Sequence, residues 1–449
     1  MRPALLITLF LSLFPSLQAQ TGDEILDIYT EHPRLFLRPQ RLRMLQRERE
    51  RHTSRWGQFE TLLVGRAPMP EMGFAQALYF QIAGDKEAGN RAVTWALTPA
   101  NTDLRQLAIV FDWCQAVLTE AQSKTLAAKM VRLISASERN TSIPATRDRA
   151  LAAVALAGHQ QDVSNKQIEW LVRIWWNKEI APGIKSGKDM IPRDSMYALL
   201  EILHAIRDNT NVELRDALPA YFKALPAYHL MSHYPATFAA PENEYRIPVI
   251  KGAKEPDADR ATMSRAAELS MVAYDTNAQE TQVLQGWLML PNFQMRGMLG
   301  CVYEFLWANP YQPGLSYYHV PLVFHDSLFG RLFMRSSWEE SAKWVGYFAD
   351  ELQIFEDGRP SVLNPQLSFD PIPMPEAVVM SANYAKKFSI TLQEGSEAVY
   401  VVALKSRQPY DVEVDDEELR EETTDPGGIL KLQLPSKIPI GVRMREAKK

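Results

Sequence analysis

The hydrophobic period of this chain changes partway along it, and that change limits its fold more than any other feature. From about residue 38 to 290, apolar side chains recur at helical spacing. "LRQLAIVFDWCQAVL" puts Leu104, Leu107, Ala108, Phe111, Cys114 and Leu118 on one face. "MYALLEILHAIRD" does the same with Met196, Leu199, Leu200, Leu203 and Ile206. Comparable segments fall near 39–51, 72–83, 86–97, 121–137, 146–158, 165–177, 212–229, 259–273 and 277–289. Thr119 with Gln122 forms a capping-box pattern, and "AGD", "AGH" and "KSG" place glycine where helices should stop. No motif recurs at a fixed solenoid period. An N-terminal α/α toroid of helical hairpins fits this series, with a superhelical bundle as the alternative.

After about residue 317 the segments become short and β-branched or aromatic: "RLFMRSSW", "AKWVGYFA", "LQIFED", "AVVMSA", "FSITLQ", "AVYVVALK", "YDVEVDD", "ILKLQL" and "IGVRMRE". Turn signals "EDGRP", "QEGSE" and "DPGG" separate them. The expectation is a mainly α toroid over 21–316 followed by a smaller antiparallel β-sandwich over 317–449. "YEFLWANPYQPGLSYYH" (303–319) marks the change of period. Tyr303, Phe305 and Trp307 are expected to plug the joint between helices and sheet. Pro310, Pro313 and Gly314 then turn the chain out, leaving Tyr311, Tyr317, Tyr318 and His319 as cleft candidates.

Residues 1–20 read as a secretory signal. Arg2 precedes the apolar "ALLITLFLSLF", and the cut is expected after Ala19, giving a periplasmic or secreted protein. No later segment approaches the length of a membrane span. A net charge of −5 gives no broad basic field, so nucleic acid is not an expected partner. Cys114 and Cys301 are expected as buried free thiols, a single disulfide being the alternative.

"HPRLFLRPQRLRMLQRE", "LAIVFDWCQAVLTEAQ" and "GRLFMRSSWEESAKWVGYFAD" together resemble the heparinase II/III-like family of exported polysaccharide lyases, which join an α/α toroid to a β-sandwich. The resemblance implies β-elimination on an acidic, uronate-containing glycan. The chain departs from that pattern where relatives carry a His-rich strand supplying a catalytic histidine and, in some members, zinc ligands. Here the segment reads "ADELQIFEDGRP", and no histidine follows His325. A zinc site there is not available, and neither a metal nor another cofactor is expected. Two alternatives stand beside the lyase: a catalytically silent glycan-binding or envelope protein, and a hydrolase of unsaturated uronides using paired carboxylates such as Glu242 and Asp194.

Elimination requires neutralisation of a carboxylate, removal of the adjacent proton and protonation of the leaving oxygen. The irregular stretch 231–259 brings His233, Tyr234, Glu242, Glu244, Tyr245 and Arg246 together, with four prolines arguing against a helix. His233, Tyr234 and Tyr245 are the acid–base candidates and Glu242 a substrate contact, although loop-anchoring hydrogen bonds would use the same residues. Asn140, Arg147 and Arg193 lie at helix entries and suit a substrate carboxylate or sulfate, or else ordinary salt bridges. Trp170, Trp175 and Trp176 offer flat faces for sugar stacking, but adjacent tryptophans cannot share one helix face.

Overall fold

The computed structural model describes residues 26–239, 244–253, 257–290, 295, 297–396, 398–416 and 418–447. The expected signal segment and Glu242 lie outside these residues. Helices fill the N-terminal part and β-strands the C-terminal part.

The helices form two layers. Met72–Ala83, Leu104–Trp113, Ile143–Leu156, Met196–Asn209, Ala258–Tyr274 and Gly297–Trp307 pack in succession as an inner ring. Most of their residues are buried, polar ones such as Arg105, Glu201 and Glu268 included, and Leu104–Trp113 is buried at each position. Outer helices such as Lys86–Leu97 and Glu120–Ser137 are amphipathic and cover the inner ones. Asp85 and Thr119 cap them through side-chain oxygens, the latter in the expected capping box.

Gly297–Trp307 closes the ring against Ser54–Val64. Arg55 Nη1 donates to the carbonyls of Glu304 (3.0 Å) and Ala308 (3.2 Å), and Phe305 stacks on Phe59 at 5.2 Å. Trp307 Nε1 donates to Tyr197 Oη at 2.9 Å, while Tyr303 packs on Phe74 and Tyr197. These three aromatics therefore seal the ring upon its own first helices, instead of plugging the joint with the sheet. Trp175 and Trp176 are both buried, each with its indole N–H on a backbone carbonyl, because this stretch is wound as a π-helix over Trp170–Ile180. Neither is open to a sugar.

The stretch read as irregular contains a hairpin, His233–Ala239 paired antiparallel with Glu244–Pro248. Its prolines bar a helix but are tolerated in a two-stranded edge.

The C-terminal part is a stack of three sheets. A five-stranded antiparallel sheet runs in chain order from Val323–Asp326 through Arg331–Arg335, Trp344–Phe348 and Glu351–Glu356 to Arg359–Leu363. The middle sheet contains Ala377–Ser381 and Ala398–Val402, which pair in parallel and are buried at every position. That pairing fits strands covered on both faces. Val378, Met380, Val399 and Val401 face the outermost sheet, and Ala377, Val379, Ala398 and Tyr400 face the five-stranded one. All other recorded strand pairs are antiparallel.

The helical and β parts meet at the hairpin. Tyr234, Ile247, Val249, Phe333, Trp344, Phe348 and Phe355 share one apolar cluster, and Trp344 Nε1 donates to the Met231 carbonyl at 2.9 Å. Cys114 and Cys301 are free and buried. Among the described residues no helix is long and apolar enough to cross a membrane.

Candidate functional site

Helix Pro219–Met231 ends beside the seam, and the chain enters the hairpin at His233, four residues after His229. His233 Nδ1 lies 2.7 Å from the His229 carbonyl. A carbonyl only accepts, so Nδ1 carries the hydrogen and Nε2 the lone pair. Nε2 faces Arg193 Nη2 at 3.2 Å and Glu268 Oε1 at 3.4 Å. Arg193 comes from the short turn Arg193–Ser195, and Glu268, Arg265 and Ser264 from Ala258–Tyr274.

Glu268 is the hub. Its Oε1 is approached by His229 Nδ1 (3.5 Å), Ser264 Oγ (3.2 Å) and Arg193 Nη2 (3.5 Å), and its Oε2 by Arg265 Nε (3.6 Å). Burial alone would raise this carboxyl, but the imidazoles and Arg265 hold it down at about 2. Burial and the Arg193 charge push His229 down to about 4 and His233 well below the usual range. Both imidazoles are therefore neutral at pH 7, and the charge that remains on show is arginine.

Arg265 and Arg246 lie over the Trp287 ring at 4.8 and 5.7 Å, and the His233 ring sits 5.1 Å from the same indole. Arg335, at the end of its strand, covers Trp338 at 4.9 Å; burial and Arg246 lower it to about 10. Tyr317 stacks on Tyr318 and meets the edge of Trp338. Among the described residues, the carboxylates that face Arg193, Arg246, Arg265 and Arg335 include the buried Glu268, Glu304, whose charge acts on Arg265, and the peripheral Glu340, 3.8 Å from Arg246 and 63% exposed. Among the described residues, Arg265 Nη1 and Arg335 Nε are buried with no hydrogen-bond partner, as is the neighbouring Glu268 Oε2. Buried donors left unpaired cost stability, so an anionic acceptor placed here would relieve them.

The structure thus joins Arg193 to His233 and brings Tyr318 to the edge of the same aromatic group. His319 and Tyr318 line a shallow recess with Trp338 and Glu376. Tyr234 is engaged elsewhere: its hydroxyl donates to Gln353 Oε1 at 2.8 Å and its ring stacks on Phe355, pinning hairpin to sheet. The backbone of Tyr245 pairs with Phe238.

Arg147 belongs to a separate buried network. It reaches Glu201 Oε2 (2.8 Å) and Asp148 (2.6 Å), while Arg105 grips Glu201 and Glu71. Asn140 is exposed and turns the chain into Ile143–Leu156, its Oδ1 accepting from the Ser142 amide. Tyr311 is half exposed at a different groove, with Arg51 over its ring. Asn140, Arg147 and Tyr311 make no recorded contact with the Arg193 group. Asp194, exposed, pairs with Arg260 at 3.7 Å.

Sequence reasoning missed Glu268, Arg265, His229 and Arg335. The available signal was "SRAAE", which sets Ser264, Arg265 and Glu268 on adjoining turns of a largely buried helix. Among the described residues no group of three or more His, Cys, Asp or Glu side chains is arranged to hold a metal ion.

No model of a known protein family matches this chain, and no curated protein does. Among solved structures it is similar to a glycoside hydrolase, with a TM-score of 0.32 and 8% identity over 94% of this chain and 78% of that one. That likeness is too remote to bear on the activity of this chain.

Proposed function

We propose that this protein recognises an acidic glycan where the helical ring meets the sheets, and acts on it by β-elimination. The observation that supports this is that, among the described residues, arginines outnumber carboxylates around Trp287, with buried N–H groups of Arg265 and Arg335 left without acceptors. A uronate carboxylate matches a guanidinium fork, and a sugar face matches the half-buried Trp338 ring. Pairing the carboxylate with arginine makes the adjacent carbon-bound proton more acidic.

In the elimination, Arg193 Nη2 turns from His233 Nε2 to the substrate carboxylate, and the freed Nε2 lone pair takes the proton from carbon. The electron pair forms the new double bond, the bond to the β-oxygen breaks, and a tyrosine hydroxyl protonates the leaving oxygen. Tyr317, raised to about 12 by burial, keeps its proton at neutral pH and is available for that step.

A silent glycan-binding protein is the second reading, and one observation favours it. His233 is 2% exposed and both its ring nitrogens are engaged. Calorimetry with uronate and neutral trisaccharides tests recognition. Binding of the acidic sugar, weakened about tenfold or more in Arg246→Ala, is expected for loss of a charge-assisted contact. Equal affinity for acidic and neutral sugars would overturn the proposal.

A further inference from the structure

The helix Pro39–Glu50 carries Arg43 and Arg47 one turn apart, with Arg51 another turn on, immediately beyond its end. All three are exposed. Like charges at this spacing weaken a helix. No carboxylate pairs with any of the three among the described residues.

These arginines form one wall of a groove of about 800 Å³. Arg38, Arg41 and Arg207 also line it, with Tyr274 and Tyr311. Three of the guanidiniums are held in place. Arg41 Nη1 donates to the Leu306 carbonyl (3.1 Å), Arg207 Nη1 to the Tyr274 carbonyl (2.6 Å) and Arg38 Nη1 to the Asp208 carbonyl. Among the described residues Asp208 is the one acidic side chain in the lining, and Arg207 occupies it at 2.8 Å. Six arginines therefore face one already paired aspartate, in a chain whose net charge is −5.

We infer that this groove is a second binding site, for a linear glycan bearing several carboxylate or sulfate groups. The row from Arg43 to Arg51 extends about 12 Å along the helix axis, longer than one sugar ring, so it suits spaced charges better than a single small anion. Tyr311, half exposed with Arg51 over its ring, offers a flat face at the rim. The groove shares no residue with the Arg193 group. It extends the acidic-glycan reading with a contact that involves no chemistry.

The test is affinity electrophoresis of the full chain through gels containing polygalacturonate, dextran sulfate or uncharged dextran. Wild type should be retarded by an anionic polymer and not by dextran, less so as salt rises. Retardation by polygalacturonate alone assigns the site to carboxylates, by dextran sulfate alone to sulfates, and by both to charge common to the two. Arg43→Glu/Arg47→Glu/Arg51→Glu should lower the affinity at least about tenfold, as removal of charge-assisted contacts does. The corresponding triple change to Gln should lie between it and wild type. Arg246→Ala should stay retarded. If it also binds uronate trisaccharides like wild type, the junction reading fails while the groove stands. A charge-reversed triple that is folded but retarded like wild type would overturn the inference. So would tighter binding of single-stranded DNA or anionic vesicles than of either polymer.

Discussion

At the scale of the residue, Glu268 decides the state of everything around it. It is 1% exposed and offsets Arg193 and Arg265 together. Glu268→Gln should cost about 3–5 kcal/mol, the usual penalty for leaving buried charge uncompensated. Urea denaturation reads this directly, and a cost below about 1 kcal/mol would mean the arginines are balanced elsewhere. His229 makes a second prediction. Its folded pKa is about 4, against about 6.5 when unfolded. Between those values the unfolded chain binds more protons, so stability is complete above the upper one and falls as pH drops towards the lower. The slope is about 1.4 kcal/mol per pH unit for each such histidine. Melting temperatures of His229→Gln should therefore vary less than wild type over this window. His233 and Arg193 were legible in the sequence because a histidine and an arginine outside long helices attract attention. Glu268 was not, because a carboxylate in a helix gains its meaning here from partners 35–75 positions away.

At the scale of the element, periodicity located most of the fold. Met72–Ala83 and Lys86–Leu97 coincide with the expected segments, and all nine expected β segments contain strands. Among the described residues three α-helices escaped, one of them the five-residue Ala181–Lys185. Ser54–Val64 has only the short stripe Trp56, Phe59 and Leu63, broken by Gly57, and Gly297–Trp307 is apolar but for Glu304, which leaves it little polar face to read. Short strands such as Arg359–Leu363, exposed along nearly its whole length, show no alternation. The strand Trp344–Phe348 supplies a test of packing. A Cβ on Gly346 would come within 2.2 Å of the Trp344 ring, which also anchors Met231. Gly346→Ala should destabilise by about 1–3 kcal/mol, the cost of overpacking, measured by chemical denaturation. A neutral result would show that the indole can move aside freely.

At the scale of the whole molecule, ring and sheets meet along an apolar seam and an arginine-rich edge, with further contacts such as Tyr221 on Phe329 and Arg407 Nη2 on the Ser186 carbonyl. The period change announces two kinds of structure, but not that a hairpin from the helical part would cover the five-stranded sheet. That pairing depends on Tyr234 meeting Phe355 and Gln353 across more than a hundred residues. The division at 316/317 remains our proposal for the chain's organisation. Expressed alone, 317–449 would uncover Phe333, Trp344, Phe348 and Phe355, and should aggregate or stay loosely packed. A soluble, cooperatively unfolding fragment in a calorimetric scan would contradict that. The most direct measurement for the account as a whole is ultraviolet absorbance of the protein mixed with a panel of uronate polymers. The account predicts a steady rise from the conjugated product with at least one polymer, abolished in His233→Ala and strongly reduced in Arg246→Ala. No rise with any polymer that the protein demonstrably binds would contradict the elimination step.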